Sequence, residues 1–339
     1  LPGKINLTKM RIAVCGAGLV GAYFYRLLKK RGYENVSLFE RPNPHPTKCG
    51  INPCGWGALN GFEEKIGLAG LSANDYLLET YESLEINGVC VKARLMMIDK
   101  PRLITDLLEG TCVNRCTPVS GDFDRIVDAT GFARAFLPPF KDDLCAPCVQ
   151  YRVKGHADCL PGVYVGNLGY AWRLPLGEGQ FHLGAGSFMV APGKLLKKLG
   201  WLADYQHVCS CTSNIRLSGV TPAQPFVCTG TKGQASVWGV GEAVGCVSPL
   251  MGEGILPGLA SALVLLENWH DPQSYTKALL REFSWTKDER QVLEKLAYGT
   301  PIGIFDGMII RSTASRLKIE TTYSQSASLL ATIAKPLKL

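Results

Sequence analysis

The sequence predicts an α/β fold in which a Rossmann-like parallel-sheet domain is interwoven with an antiparallel-sheet domain and followed by a C-terminal helical segment. Three observations carry this expectation. Near the start, the turn Gly16-Ala17-Gly18-Leu19-Val20-Gly21 stands between an apolar strand-like run and an amphipathic segment. Through residues 148–190, short apolar runs alternate with glycine and proline, the rhythm of an antiparallel sheet. At residues 236–269 a second strand, glycine turn and apolar helix return.

The first unit spans Arg11–Arg41. Ile12–Cys15 reads as a strand, Ala22–Lys30 as a helix and Val36–Phe39 as a second strand ending at Glu40-Arg41. In the G-x-G-x-x-G spacing, Gly16 permits the tight turn, Gly18 lets the backbone approach a pyrophosphate, and Gly21 lets the helix pack closely on the strand. The phosphates then lie at the positive end of that helix. Glu40 follows Gly21 by roughly 20 residues, where a carboxylate accepts from ribose hydroxyls. The glycine spacing alone would equally suit an ordinary βαβ turn. With strand, helix, second strand and acid all in place, the stretch is expected to bind a dinucleotide.

The loop Pro42–Gly61, carrying Lys48-Cys49-Gly50 and Pro53-Cys54-Gly55-Trp56-Gly57, is expected to lie over a ligand. Phe62–Gly67 and Tyr76–Leu84 read as helices, and Gly88–Met97 as a strand crossing into the second domain. Pro101–Glu109 reads as a short helix, Thr111–Val113 as a strand, and Arg125–Ala129 as an apolar strand entering Asp128-Ala129-Thr130-Gly131. An Ala129-Thr130-Gly131 turn after a strand suits backbone contact with a nucleotide, although an ordinary turn reads the same way.

Cys148–Lys154, Gly162–Gly166, Ala171–Leu174, Gln180–Ala185 and Ser187–Val190 follow as short strands, with Lys194–Leu202 as a helix. Ser236–Val240 returns as a buried strand ending at Gly241-Glu242. Gly252-Glu253-Gly254-Ile255 then opens a helix running to about Trp269. A helix start offers free N–H groups and about half a positive charge, which suits the carbonyl side of a flavin ring that gains electrons. Pro257 fits the first turn, and Glu242 stands where a carboxylate can bond the ribityl hydroxyls.

The chain has 339 residues, 46% hydrophobic and 19% charged, enough to bury a sizeable core without a disordered composition. No run of 18 or more apolar residues and no charged-then-apolar leader is present, so a cytoplasmic protein is expected. Met10 directly precedes the first strand and is a candidate natural start, with residues 1–9 set aside as an extension. The net charge of +7 has no block of like charges behind it, so nucleic acid is not indicated. Arg311, Arg316, Lys318, Lys335 and Lys338 make the tail mildly basic, either as a solvated face or as one that meets anionic lipid headgroups. Thirteen cysteines, an odd number, argue against a complete disulfide framework and fit a reducing compartment. Cys145-Ala146-Pro147-Cys148, Cys112/Cys116 and Cys209/Cys211 are close pairs, but no second C-x-x-C completes a zinc set, so no metal is expected.

The opening Gly16–Gly21 motif with Glu40-Arg41, together with Gly241-Glu242-Ala243-Val244 and Ser248–Ile255, resembles the FAD-dependent oxidoreductases built like aromatic hydroxylases. Within them the chain is most similar to the geranylgeranyl reductase family, across most of Met10–Ser284. Hydroxylases usually carry a histidine after a Gly-Asp pair and then G-Q-G-x-N, which this chain lacks. Tyr170-Ala171-Trp172-Arg173-Leu174-Pro175-Leu176-Gly177 looks like the family's Y-x-W-x-F-P-x-G motif, with Leu174 in place of phenylalanine. Pro53-Cys54-Gly55 followed by Phe62–Gly67 is similar to its P-C-G segment.

The resemblance implies FAD held by Gly16, Gly18, Leu19, Val20, Gly21, Glu40, Arg41, Cys49, Gly50, Ala129, Thr130, Gly131, Gly241, Glu242, Gly252, Gly254 and Ile255. It implies Cys54, Tyr170 and Trp172 as catalytic residues, and Tyr170, Trp172 and Pro175 as substrate-binding ones at the flavin end of an apolar tunnel beside the C-terminal helices. Sheet packing alone would also explain the two aromatics, and Cys54 could be an inert buried thiol. Residues 10–60, 98–140 and 225–270 are expected to form the discontinuous FAD-binding domain, 61–97 and 141–224 the substrate domain, and 271–339 a helical region.

The implied reaction is reduction of carbon–carbon double bonds in an isoprenoid lipid, as in archaeal membrane-lipid precursors. The electron donor is left open among ferredoxin, F420H2 and NAD(P)H, and so is peripheral contact of the cytoplasmic protein with a membrane. Glu242 stands where aspartate is usual, and the D-G motif that hydroxylases use for NAD(P)H is absent. A flavin monooxygenase or dehydrogenase and a non-catalytic lipid-binding flavoprotein are the rival readings.

Overall fold

The computed structural model describes residues 9–42, 54–115, 119, 122–155, 159–203, 205–230 and 234–337. Its strands in chain order are β1 (Ile12–Cys15), β2 (Val36–Glu40), β3 (Gly57–Ala58), β4 (Leu77–Ile86), β5 (Val89–Ile98), β6 (Val113–Arg115), β7 (Arg125–Asp128), β8 (Cys145–Lys154), β9 (Gly162–Gly166), β10 (Gly169–Gly177), β11 (Gln180–Gly186), β12 (Gln206–Arg216), β13 (Val227–Cys228) and β14 (Ser236–Gly239). The helices are α1 (Leu19–Lys30), α2 (Phe62–Leu68), α3 (Lys100–Leu107), α4 (Pro192–Lys198), α5 (Ile255–Glu267), α6 (Pro272–Glu282), α7 (Ser284–Ala297), α8 (Ile304–Arg316) and α9 (Tyr323–Ala334).

The first sheet grows outward from β1, whose four residues are all buried. β2 and β7 flank it in parallel, β6 extends the β2 side and β14 the β7 side, with β13 closing that edge antiparallel. A strand buried on both faces must be apolar throughout, which is why Ile12–Cys15 reads as a continuous run. The crossover through α1 places the helix start just beyond the carboxyl end of β1, where ligands of such sheets bind. α1 packs against α5, so the opening and closing helices of this sheet meet.

The second sheet has eight strands in the order β12-β8-β11-β10-β9-β4-β5-β3, antiparallel except for the short β4–β9 pairing. Its register decides which residues can meet. Tyr170, Trp172 and Leu174 lie opposite Gly186, Gly184 and His182 of β11, which lie opposite Cys148, Gln150 and Arg152 of β8. Alternation puts this whole set on one face. The opposite face, with Val149, Ala171 and Ala185, is covered by Leu195 and Leu196 of α4.

Two expectations for the elements are corrected. Tyr76–Leu84, expected to be helical for its leucines and glutamates, forms a 3₁₀ turn at 73–76 and then β4. The deciding feature is the two-residue turn Asn87-Gly88, with φ of +50° and +81°, the hairpin geometry that joins β4 to β5. Ser187–Val190 is a bend rather than a strand. β12, eleven residues of QHVCSCTSNIR, has too few large apolar residues to announce itself, yet it pairs along the full length of β8.

The C-terminal helices cover the same face of the second sheet at its β4–β5–β9 end. Leu317, Ile319, Leu329 and Ile333 join Leu84, Ile86, Val91 and Val165 in the main core. This is the region in which the apolar tunnel was expected. No helix among the described residues is long and apolar enough to cross a membrane.

Candidate active site

The glycine turn is fixed by close packing. A Cβ at Gly21 would lie 1.8 Å from the Gly16 carbonyl oxygen, and one at Gly16, where φ is +107°, would lie 2.3 Å from the Ala129 carbonyl oxygen. The β1–α1 turn thus rests directly on the Ala129-Thr130-Gly131 turn after β7. Gly18 differs, because a Cβ there meets nothing within 4 Å. Its open side faces the start of α1, which has no side-chain cap and no acid in its first turn. Uncapped N–H groups beside open space are what a pyrophosphate requires. Glu40 accepts from the Ala17 N–H at 2.7 Å and from the Arg41 N–H at 2.9 Å. The acid assigned to ribose therefore also fastens the glycine turn.

Val20 links this turn to the second motif. A Cβ at Gly241 would come within 3.0 Å of the Val20 side chain, and one at Gly258, in the first turn of α5, within 2.6 Å. Only glycine at both places lets the valine seat between them. The resemblance implied a cofactor contact for Val20; the structure shows it interlocking with Gly241 and Gly258.

Asp128, which the sequence reading did not single out, organises the turn after β7. Its Oδ1 accepts from the Thr130 N–H and hydroxyl, and its Oδ2 from the Phe136 and Leu137 N–H groups, all within 3.1 Å. An aspartate closing a buried strand ahead of Ala-Thr-Gly was the available signal. Arg134 then ties the loop to the β14 side, donating to the Pro138 and Ala243 carbonyls and to the Gln224 side chain. Burial lowers its guanidinium to about 10, so it stays charged at neutral pH.

Glu242 is half-buried. It accepts from the Arg216 N–H at 2.8 Å, and a Cβ at Gly131 would lie 3.2 Å from its Oε2. It thus stands between the β7 turn, β12 and the closing motif. Desolvation pushes its carboxyl up to about 7, against the pull of the Arg216 backbone and guanidinium. That guanidinium is itself committed to Asp143 and to the Phe132 carbonyl.

On the face of the second sheet, Tyr170 and Trp172 are buried and stack with centroids 5.8 Å apart and planes at 24°. Each lies over a glycine. A Cβ at Gly184 would strike the Trp172 ring at 2.0 Å, and one at Gly252, where φ is +64°, would strike Tyr170 at 2.4 Å. Gly55, next to Cys54, packs on Trp172 and Leu174 from above. The structure therefore brings the Tyr170–Leu174 segment, the loop before α5 and the Cys54-Gly55 segment together.

The floor beneath is polar. Trp172 Nε1 donates to Gln150 Oε1 at 3.2 Å, and the Tyr170 hydroxyl lies 3.6 Å from Cys148 Sγ. Burial pushes the Cys148 thiol up to about 12 and the Tyr170 hydroxyl well above its ordinary range. His182 contacts the Gly55 carbonyl at 3.4 Å and is held neutral by burial, its pKa lowered to about 3. Pro175 does not join this set. Alternation turns it to the opposite, α4-covered face. Cys49 and Gly50 lie outside the described residues.

The start of α5 departs from expectation. Glu253 Oε1 accepts from the Leu256 N–H at 2.8 Å, so its carboxylate caps one of the donors expected to face a flavin ring. Desolvation raises this carboxyl to about 7. The preceding loop is braced from behind by Glu289, which is 1% exposed. Glu289 accepts from Ser248 Oγ at 2.5 Å, Thr313 Oγ1 at 2.7 Å and the Arg316 guanidinium, while Ser248 Oγ accepts from the Met251 N–H. Arg316, counted from sequence among the basic tail residues, thus points inward and stacks over Trp285 at 3.3 Å.

The fold is one shared with flavin-dependent oxidoreductases. No family model matches the chain. An uncharacterized protein of Methanocaldococcus jannaschii is 24% identical over 310 residues, covering 76% of this chain and 82% of that protein. Among solved structures, a geranylgeranyl bacteriochlorophyll reductase-like protein of Thermoplasma acidophilum superposes with a TM-score of 0.66 at 16% identity, covering 95% of this chain and 98% of the other. A tryptophan 6-halogenase of Streptomyces toxytricini gives 0.62 at 13% identity, covering 94% and 83%. A probable FAD-dependent monooxygenase of Pseudomonas aeruginosa gives 0.55 at 14%, covering 89% and 99%. The architecture is therefore the one that the sequence resemblance implied, a Rossmann-like sheet interwoven with an antiparallel one.

Proposed function

We propose that this chain is an FAD-dependent oxidoreductase that reduces carbon–carbon double bonds of a prenyl chain, of the kind found in archaeal membrane-lipid precursors. The observation that carries the reading is the Tyr170–Trp172 stack, seated on Gly186 and Gly184 and touched by both Gly252 and Gly55. It joins the most family-specific sequence segment to the two loops that would flank a flavin ring.

The residues present fit the cofactor. The open side of Gly18 and the uncapped start of α1 would receive the pyrophosphate, Glu40 the adenosine ribose, and Glu242 the ribityl hydroxyls. Ala129–Gly131 and Gly241 would line the nucleotide and ribityl path, and Gly252, Gly254 and Ile255 with the Gly55 segment would flank the ring. FAD, when bound, supplies the hydride; the protein has to place the alkene and deliver a proton to the neighbouring carbon. An unactivated alkene offers no carbonyl to polarise, so positioning is most of the task. Trp172 and Tyr170 give a flat apolar wall for the double bond. The proton would come from Cys54 Sγ, from the Tyr170 hydroxyl backed by Cys148, or from a water between them. The chain's remaining length would run toward the apolar contact of β4, β5 and β9 with the C-terminal helices. The electron donor is ferredoxin, F420H2 or NAD(P)H.

The nearer rival is a flavin-dependent monooxygenase or dehydrogenase acting on another apolar substrate. The experiment is anaerobic. Protein reconstituted with FAD is reduced by dithionite, a geranylgeranyl lipid is added, and flavin absorbance is followed with mass analysis of the lipid. Reoxidation with a gain of two hydrogens per double bond is expected. Reduced flavin that stays reduced until oxygen enters, with an oxygenated product, would sink the reductase reading.

A further inference from the structure

The five most exposed large hydrophobic side chains among the described residues all fall within residues 298–323: Tyr323 at 87%, Ile304 at 84%, Phe305 at 81%, Tyr298 at 74% and Met308 at 61%. Scattered exposed apolar residues need no explanation, but a cluster of this kind marks a surface with a partner. Helical spacing makes it contiguous. Ile304, Met308 and Arg311 stand at i, i+4 and i+7 on α8, one stripe of the helix, and Phe305 lies beside its first turn. The Arg311 guanidinium reaches the Tyr323 ring at 5.8 Å, carrying the stripe across to the start of α9. Tyr298 stands at the end of α7, where the chain turns toward α8.

The charges beside the stripe select the partner. Asp306, the acid of α8, is buried and held by Lys295 Nζ at 2.7 and 2.9 Å and by the Gly303 N–H. It presents no negative charge outward. Arg311 is exposed, as is Lys318 just past the end of α8, and the exposed Glu320 that follows is paired with Lys92 at 3.0 Å. An apolar wedge of isoleucine, phenylalanine and methionine, edged by tyrosines and uncompensated basic groups, matches the apolar interior, interfacial zone and anionic headgroups of a bilayer in that order.

We infer that the outer stripe of α8, Ile304, Phe305 and Met308 with Arg311 and Tyr323, seats this protein on the surface of an anionic lipid bilayer. The turn after α8 carries Leu317 and Ile319 and the inner side of α9 carries Leu329 and Ile333, all in the same buried core as Leu84, Ile86, Val91 and Val165. The segment from α8 to α9 therefore presents one side outward to a membrane and sends the apolar residues of its turn and of α9 into the interior. Docking would place a lipid substrate within reach of the cleft; that consequence rests on the prenyl-lipid reading, whereas the docking itself does not.

The test is flotation of FAD-loaded protein with vesicles of phosphatidylcholine alone or mixed with phosphatidylglycerol. The protein is expected to float with the mixed vesicles. Ile304→Ser combined with Phe305→Ser should lower partitioning at least tenfold, given the apolar area withdrawn from lipid. Arg311→Gln should lower it about fivefold on mixed vesicles only. Both variants change exposed positions, so an unchanged unfolding midpoint and unchanged flavin absorbance confirm an intact protein. Turnover on detergent-dispersed lipid should also be unchanged, which separates failure of docking from failure of the reductase reading. Wild-type protein that ignores both vesicle types, or partitioning untouched by the double substitution, would overturn the inference. So would a dimer in light scattering that the double substitution makes monomeric, since a second copy would then be the partner.

Discussion

At the scale of single residues, the cleft is set by a few carboxylates whose environments oppose their charge. Glu242 is the clearest. Its folded carboxyl is raised to about 7 by desolvation, so between the ordinary glutamate range and pH 7 the folded chain holds a proton that the unfolded chain has released. Stability from this group is complete below about pH 4.3 and declines as pH rises through the folded value. Glu253 adds a contribution of the same sign. Glu242→Gln is therefore expected to flatten the fall in unfolding midpoint between about pH 4.5 and 7, as thermal scans across a pH series would show. An unchanged slope would mean that the carboxylate is solvated. Glu242 and Glu40 were both legible as acids following strands. What could not be read was their second employment, because Glu40 binding Ala17 and Glu242 binding Arg216 are contacts across 23 and 26 residues that no local spacing announces.

At the scale of elements, the loop before α5 owes its shape to side chains from α7 and α8. Glu289 accepts from three side chains, and removing it leaves the Arg316 guanidinium and the Ser248 and Thr313 hydroxyls without their acceptor. Glu289→Ala should cost about 3 kcal/mol in urea unfolding, and Glu289→Gln less, because an amide oxygen still accepts from Ser248. If both variants unfold at the wild-type midpoint, the brace does not hold the loop. The motif elements β1, α1, β2, β14 and α5 were read from sequence nearly as they occur, since each combines one period with a glycine signal. β4 was not. Its Leu-Leu-Glu-Thr-Tyr-Glu run satisfies helix propensity, and only the pairing across Asn87-Gly88 overrides it. β12 escaped notice because its buried positions are Cys209, Cys211 and Arg216 rather than large aliphatics.

At the scale of the whole molecule, the site is assembled from distant parts: the turn near residue 16, the turn near 129, the sheet face at 148–186 and the return at 241–255. A ligand that spans them should stabilise the fold as a unit. FAD at a hundred times its dissociation constant is expected to add about 2.7 kcal/mol and to raise the midpoint of thermal unfolding. A midpoint indifferent to FAD would mean that the two ends do not share one ligand. Register explains why the sheet face was only partly legible. Tyr170 and Trp172 could be named from their motif, but their neighbours Gln150, Cys148 and His182 share a face with them only because three strands pair in a particular alignment. The Val20 interlock has a further consequence in time. During synthesis β7 emerges with one edge bare, and its partner β14 follows only after the entire second sheet has been made. Until Gly241 and Gly258 arrive to receive Val20, the opening motif is half a clasp, and a nascent chain carries an unpaired strand edge through more than a hundred residues of elongation. The protein is thus one whose first-made binding element is completed only after the whole second sheet.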